Sequence, residues 1–157
     1  MKDETLPIKR HKTIQLFSKD HKVVSLLGWK IRQGFKKEIE LERIKDYADW
    51  IFENQIQPHF YEEEKYIFSL LDDDDKLKKR ALSEHRKLER LFADGKDINR
   101  ALSLIEELLD LNISFEERIL YDHIQDVASE EQLKKLENFH KNPIRKGLWK
   151  DRFWEQT

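Results

Sequence analysis

Long stretches of this sequence contain neither glycine nor proline, the residues that most often interrupt a helix. Only 4 glycines and 3 prolines occur in 157 residues, and alternation of β-branched with polar residues is scarce. Long helices fit such a chain, whereas a sheet needs frequent turns and alternating faces. The sequence therefore predicts an all-α fold, in a single domain covering residues 1–157.

The first predicted helix spans about residues 18–34. Ser18 is expected to cap it, because a serine hydroxyl can accept a hydrogen bond from a free amide of the first turn. We expect residues 1–17, which carry Pro7 and scattered basic and apolar side chains, to form an extended N-terminal arm on the body of the fold. The apolar stripe of the helix consists of Val24, Leu27 and Ile31.

The second predicted helix covers about residues 40–71, and Pro58 should kink it because its ring removes a backbone hydrogen bond. Residues 72–75 are four aspartates, which we interpret as a solvated turn whose last member caps the third helix. An EF-hand calcium loop would need alternating ligands and a glycine that this run lacks. The stripe of the second helix consists of Ile44, Ala48, Ile51, Phe52, Ile67 and Leu70.

The third predicted helix runs from about residue 76 to residue 93 and ends before Gly95. Asp97 is expected to cap the fourth, which extends to about Val127. Because the connections are short, we predict an up-down-up-down antiparallel four-helix bundle over about residues 18–127. The inward residues of the fourth helix are predicted to be Ala101, Ile105, Leu108, Leu109, Phe115 and Ile119.

Residues 128–157 are predicted to add a short extra C-terminal helix and an aromatic tail. Ser129 is expected to open this helix with Gln132 in a capping box, and Pro143 to end it. The tail can cover one end or side of its own bundle, or pack on a second copy of the chain in a homodimer. Its aromatic residues are Trp149, Phe153 and Trp154.

Charge and composition exclude several classes of function. Lys and Arg (30) nearly balance Asp and Glu (32) along the whole chain, so we expect no nucleic-acid and no membrane partner. The sequence has neither a long apolar run nor a signal-peptide core, and a cytoplasmic protein is expected. There is no cysteine, so any metal must be held by nitrogen and oxygen, which suits iron, manganese or zinc.

Metal-capable side chains interrupt the predicted apolar stripes. His59 and Glu63 are four residues apart and therefore share one helix face. A lone histidine on such a stripe is more often a hydrogen-bonded core residue. Histidines and carboxylates on the stripes of four helices together, however, indicate a metal site of present or ancestral use. Burying so many of these groups without partners would cost much free energy. The residues are His21, His59, Glu63, His85, Asn112 and Glu116.

Four segments resemble, in their order and spacing, the signature of hemerythrin-like (HHE cation-binding) domains. The resemblance covers about residues 8–127, and it implies a four-helix bundle with a non-haem di-iron centre. Such centres serve reversible oxygen binding, oxygen or redox sensing, nitric oxide handling or iron storage. The segments are Ser18-Lys19-Asp20-His21, His59-Phe60-x-x-Glu63-Glu64-x-x-Ile67-Phe68, Glu84-His85 and Phe115-Glu116-Glu117-Arg118-x-Leu120.

The resemblance implies two iron ions, with Glu63 and Glu116 as bridging ligands. The chain departs from the family pattern at Asn112, where the family has histidine, and a neutral amide oxygen is a poorer iron ligand than imidazole. The site could then hold two ions with an open position, one ion of iron or zinc, or none. The ligands implied are His21, His59, Glu63, His85 and Glu116.

Two functional hypotheses follow. The first is an iron protein that binds or senses dioxygen or another small diatomic ligand; the second is a helical regulatory or interaction module with a degenerate site. Catalysis is not predicted, because the sequence reveals no nucleophile, base or substrate cleft. His123 is expected to be structural or on the surface, and His11 and His140 are expected on the surface.

Overall fold

The computed structural model describes residues 9–139 and 149–157, and every regular element within them is a helix, which confirms the all-α prediction. No helix in these two ranges could serve as a membrane span. The elements are α1 (Lys12–Lys36), α2 (Leu41–Ile51), a π turn (Phe52–Ile56), α3 (Gln57–Glu62), a π turn (Glu63–Ile67), a 3₁₀ turn (Phe68–Leu70), α4 (Lys76–Ala93), α5 (Ile98–Phe115), a π turn (Glu116–Leu120), α6 (Tyr121–Val127), α7 (Glu130–Lys135) and 3₁₀ turns at Leu136–Asn138 and Phe153–Glu155.

Helix α1 begins before the predicted cap, so the prediction of an extended arm is wrong for residues 12–17. Ile14 and Phe17 are buried and extend the apolar stripe toward the N-terminus. Because burying such a stripe stabilises the helical conformation, Ser18 lies inside the helix rather than at its end. Residues 1–8 of the predicted arm lie outside the described residues.

His11, expected on the surface, instead caps α1 and is partly buried. Its Nδ1 accepts a hydrogen bond from a backbone amide of the first turn at 3.1 Å, and its Nε2 lies 2.9 Å from a carboxylate oxygen of Glu130. His123 has the structural role expected, with Nε2 2.7 Å from the carboxylate of Asp75. His140 falls in the part of the chain that is not described.

The second predicted helix is continuous from Leu41 to Leu70 but contains two π turns. In the first, the amide of Gln57 donates to the carbonyl of Phe52, five residues earlier. The wider turn stands immediately before Pro58, whose ring would clash with the preceding turn of a regular α-helix. The disturbance predicted at this proline therefore takes the form of a π turn.

The third and fourth predicted helices are confirmed, with Asp75 and Asp97 accepting hydrogen bonds from first-turn amides at their N-termini. The prediction that Ile119 faces the core is wrong, because this residue is 46% exposed. The π turn that starts at Glu116 adds a residue to the helical repeat, and Leu120 is consequently the buried residue at this point.

The predicted C-terminal helix is present and begins with the capping box of Ser129 and Gln132. The α-helix ends at Lys135 and a 3₁₀ turn follows at Leu136–Asn138, so the helix is shorter than predicted; Pro143, its predicted end, lies outside the described residues. The aromatic tail packs against its own chain, where Phe153 is fully buried, close to Gly34 of α1 and Tyr47 of α2. The ring of Trp154 lies 4.9 Å from that of Tyr47.

Gly34 marks a close approach between α1 and the residues packed on it. A Cβ at this position would lie 2.8 Å from Ile44 Cγ1 and 3.1 Å from Phe153 Cε1. We expect Gly34→Ala to lower the free energy of unfolding by about 1–3 kcal/mol, because overpacking forces neighbours apart. Urea unfolding measures the change, and Gly95→Ala is the control, since a Cβ there meets nothing within 4 Å. Equal stability of the two variants would contradict this expectation.

Candidate metal centre

A layer of buried polar side chains, the polar layer, divides the apolar core into two clusters. On α1, for example, Phe17 belongs to one cluster and Val24 to the other, and His21 lies between them. The other long helical stretches, residues 41–70, 76–93 and 98–127, cross from one cluster to the other in the same way. The polar layer consists of His21, His59, Glu63, His85, Asn112 and Glu116, each at most 5% exposed.

Three imidazole Nε2 atoms face two carboxylates in this layer. His21 Nε2 lies 3.0 Å from Glu116 Oε1, and His59 Nε2 lies 3.1 Å from Glu63 Oε1. His85 Nε2 lies 3.1 Å from Glu116 Oε2 and 3.3 Å from Glu63 Oε1. The carboxylate of Glu116 therefore lies between the imidazoles of α1 and α4, with one oxygen toward each.

The outer nitrogen of each imidazole contacts a further carboxylate. Such a contact fixes the orientation of the ring and directs Nε2 into the layer, an arrangement common around metal-binding histidines. The pairs are Asp20 with His59 Nδ1 at 2.8 Å, Glu64 with His85 Nδ1 at 2.8 Å, and Glu117 with His21 Nδ1 at 2.7 Å.

These outer carboxylates belong to residues next in sequence to members of the polar layer. Consecutive residues of a helix point about 100° apart, so each reaches sideways to a neighbouring helix. Glu84 follows the same rule, since it precedes His85 and accepts a hydrogen bond from Asn112 Nδ2 at 2.9 Å. Together the four acidic side chains link the four helical stretches in a closed circle.

Two of the π turns begin at the carboxylate residues of the layer, Glu63 and Glu116. In each, the amide five residues on donates to the glutamate carbonyl, which brings that fifth residue onto the inward face. One such residue is Tyr121, whose hydroxyl donates to Glu63 Oε2 at 2.7 Å. Its ring stacks on His21 with centroids 5.6 Å apart. The equivalent residue in the other turn is Phe68, which has no hydroxyl.

Two buried atoms in the layer lie close together without a hydrogen bond. His59 Nε2 and Glu63 Oε1 are 3.1 Å apart, yet within the described residues neither has a partner in hydrogen-bond geometry. Leaving such atoms unsatisfied is costly, and a cation bound to both would satisfy them. Ligand atoms of His59 and Glu63, with those of His21 and Glu116, all lie within 4.8 Å of one another. This buried cluster could hold a metal ion.

The imidazoles carry protons at neutral pH in the metal-free protein. Burial lowers the pKa of His59, but the charge of Glu63 and the hydrogen bond to Asp20 outweigh burial and raise this pKa to about 10. Burial also lowers the pKa of His21, and the two glutamates at its ring nitrogens raise it to about 9. The metal-free layer is thus a network of imidazolium and carboxylate groups.

We expect metal binding to release protons and to strengthen as the pH rises from about 6 to about 9, because a cation must displace the imidazole protons. The pKa values of about 10 for His59 and about 9 for His21 exceed the ordinary 6.5. In the metal-free protein, these protons therefore stabilise the fold fully below about pH 6.5, and the contribution is lost as the pH rises through about 9 to 10. Calorimetric titration in buffers of different ionisation enthalpy measures the released protons. An affinity independent of pH would contradict the expectation.

The polar layer brings together all the residues predicted as ligands, which are His21, His59, Glu63, His85 and Glu116. Their role as ligands stays a prediction. Asn112 is also in the layer, but its amide nitrogen is directed to Glu84. The sequence reasoning missed the acidic residues behind the imidazoles and Tyr121. The doubled glutamates at 63–64 and 116–117 were the signal for two of these acids, since the second of each pair faces the next helix.

An open cavity of about 540 Å³ reaches the outer side of His21 from the surface of α1. Glu117, whose carboxylate contacts His21 Nδ1, forms part of the wall of this cavity. The cavity lies on the surface, and His21 is the one residue of the polar layer in its lining. The remaining lining residues are Ser18, Lys22, Ser25, Leu26 and Trp29.

The donor set limits the kind of ion that would bind. Imidazole nitrogen and carboxylate oxygen suit iron, manganese and zinc, and the buried cluster can provide both kinds of atom. The outer carboxylates would keep the imidazoles oriented as the ion binds.

Comparison with known proteins found no protein-family model, no curated protein and no solved structure that matches this chain.

Proposed function

We propose that this protein is a hemerythrin-like non-haem iron protein. Two iron ions would lie in the polar layer, bridged by carboxylates, and the centre would bind or sense dioxygen, nitric oxide or the redox state. One observation carries the proposal: three imidazoles point Nε2 at two shared carboxylates, and each is held from behind by another acid. Ligands of a shared metal centre need this combination of carboxylates common to several rings and rings fixed in orientation.

We further propose that the four long helical stretches form an up-down-up-down bundle. The order of the contacts supports this arrangement. Residue 32 of α1 contacts residue 106, whereas residue 21 contacts residue 116, so partner numbers fall as α1 advances. Likewise, Lys45 contacts Phe92 and Glu64 contacts His85, which is the order expected of antiparallel neighbours.

The residues divide into two metal positions. The first position would use His21, His59, Glu63 and Glu116, whose ligand atoms lie close together. The second would use His85 and the same two carboxylates. Bound iron would supply the reversible redox chemistry.

The other side chains of the site would orient ligands and exclude water. Phe60 stacks on the His85 ring with centroids 3.7 Å apart, and Phe68 lies 5.3 Å from the same ring. These contacts restrict the imidazole and keep its surroundings apolar. The buried hydroxyl of Tyr121 donates to Glu63 and holds the orientation of that carboxylate.

A second candidate function is a helical regulatory or interaction module with one metal ion, zinc or none. The hydrogen bond between Asn112 and Glu84 favours it, because it gives the amide nitrogen of Asn112 a partner without a metal. The imidazolium and carboxylate groups of the layer also neutralise one another. In this case the layer would serve the specificity of helix packing.

Metal analysis of protein produced under iron-replete conditions tests the first proposal. We expect bound iron, together with near-ultraviolet or visible absorption that changes when the reduced protein meets air. Near-zero iron and no such absorption would refute the iron proposal. Zinc at one ion per chain, or a stable metal-free protein, would support the second candidate.

A further inference from the structure

We infer that Arg10 is a positioning residue of the metal centre. From the segment that precedes α1, it holds two residues that contact the imidazole of His21, and it thereby sets the affinity of this imidazole for an ion. This inference rests on the proposed function, since it concerns an ion bound by His21. Arg10 lies outside the four long helical stretches, so the centre would depend on a part of the chain that carries none of its ligands.

The guanidinium of Arg10 contacts Glu117 at two points. Its Nη1 donates to Glu117 Oε2 at 2.7 Å, and its Nη2 donates to the backbone carbonyl of the same residue. A guanidinium is a rigid planar fork, so these two bonds fix the carboxylate relative to its own backbone. The other oxygen, Oε1, faces His21 Nδ1 at 2.7 Å and also accepts a hydrogen bond from the Ser18 hydroxyl.

The second contact of Arg10 is with the ring of Tyr121. The guanidinium carbon lies 5.6 Å from the centroid of this ring, within the range of a cation–π attraction. The same ring stacks on the imidazole of His21. The two contacts of Arg10 therefore converge on one imidazole, through Glu117 at its Nδ1 and through Tyr121 on its face.

The backbone on both sides of Arg10 is held by the side chain of Gln125. Its Nε2 donates to the carbonyl of Lys9 at 2.6 Å, and its Oε1 accepts from the amide of His11 at 2.9 Å. The Gln125 amide thus uses a donor and its acceptor on the two neighbours of one residue. The Arg10 side chain, itself only 23% exposed, starts from a fixed point, as a group that orients a metal ligand must.

Orientation and charge predict opposite effects when Arg10 is removed. The guanidinium is a positive charge near a cation site, so its removal would by charge alone strengthen metal binding. Loss of orientation would weaken it, because groups behind a metal-bound imidazole contribute about 10- to 100-fold in affinity. Arg10 acts through Glu117 and its charge opposes binding, so we expect a net loss at the lower end of this range.

Calorimetric titration of the metal-free protein with Zn²⁺ tests the inference. Arg10→Ala should bind Zn²⁺ about 10-fold more weakly than the unchanged protein. Arg10→Lys keeps the charge but lacks the planar fork, and it should recover only part of the loss. In the Zn²⁺-loaded protein, nuclear magnetic resonance should show that the Nδ1 proton of His21 exchanges with water faster in Arg10→Ala.

Two control variants lie in the same segment. His11→Ala removes the cap of α1 and the contact with Glu130, so it should lower the urea midpoint of unfolding but leave Zn²⁺ affinity unchanged. Lys9→Ala removes a positive charge from an exposed position and should not weaken binding. In a Glu117→Gln protein, adding Arg10→Ala should have a smaller effect than in the otherwise unchanged protein, because both act on one imidazole.

Zn²⁺ binding by Arg10→Ala that equals or exceeds that of the unchanged protein would overturn the inference and leave the proposed function standing. Equal weakening in His11→Ala would also overturn it, because a loosened segment would then explain the loss. Additive effects of Arg10→Ala and Glu117→Gln would show that Arg10 does not act through Glu117, with the same consequence. If the unchanged protein binds neither iron nor Zn²⁺, the proposed function fails as well.

Discussion

Glu63→Ala is expected to abolish metal binding and to lower the free energy of unfolding of the metal-free protein by about 3 kcal/mol. Glu63 is fully buried, and its Oε1 lies 3.1 Å from His59 Nε2 and 3.3 Å from His85 Nε2. Its other oxygen accepts the hydrogen bond from Tyr121 at 2.7 Å. Alanine would remove a carboxylate that both proposed metal positions share, and it would take a buried negative charge away from the Nε2 atoms of His59 and His85.

Metal content and urea unfolding of the same preparations measure both effects. Glu53→Ala, at an exposed glutamate of the same helical stretch, is the control and should bind metal normally. Glu63→Gln separates charge from packing, because it preserves the shape of the side chain but is a poor metal ligand. Metal content close to that of the unchanged protein in Glu63→Ala would contradict the assignment of the polar layer as a metal centre.

Phe153→Ala is expected to lower the free energy of unfolding by about 3–5 kcal/mol, because it opens a cavity where the tail meets α1 and α2. The Phe153 side chain is 0% exposed, and its ring lies 5.9 Å from that of Tyr47 and 5.1 Å from that of Trp154. It belongs to the apolar cluster that contains Ile44. Loss of this ring should release the aromatic tail from the end of the fold.

Thermal unfolding followed by circular dichroism measures this change. Phe139→Ala is the matched control. Because Phe139 is 48% exposed, this substitution should lower the free energy of unfolding by less than about 1 kcal/mol. The affinity for metal should change little in either variant, because neither ring contacts the polar layer. Equal stability of the two variants would show that the tail does not contribute to the stability of the fold.

Helix existence and many helix ends could be predicted from the sequence, because both depend on local interactions. Asp75, Asp97 and Ser129 cap helices where the pattern placed caps, since a cap needs only a side chain next to free amides. The start of α1 was missed. The apolar residues that extend it, Ile14 and Phe17, are stabilised by packing against other helices, and no local signal records that contact.

The π turns show why local periodicity has a limit. Ile119 was predicted to face inward by an uninterrupted helical repeat, and the extra residue of the turn brought Leu120 inward instead. The turn at Glu116 also places Tyr121 against the polar layer. A turn of this kind depends on what the inward side chains contact across the core, so its position could not be read from spacing alone.

The sequence by itself determined an all-helical fold and which polar residues face the core, because spacing along one helix decides the face on which a side chain lies. Only the tertiary structure decided which acid contacts which side chain of the polar layer, as Glu117 contacts His21 and Glu84 contacts Asn112. These pairs join different helices, and their distances depend on how the helices pack. For the same reason, the sequence showed Asn112 only as a departure from the pattern that the chain resembles, whereas the fold reveals its contact with Glu84.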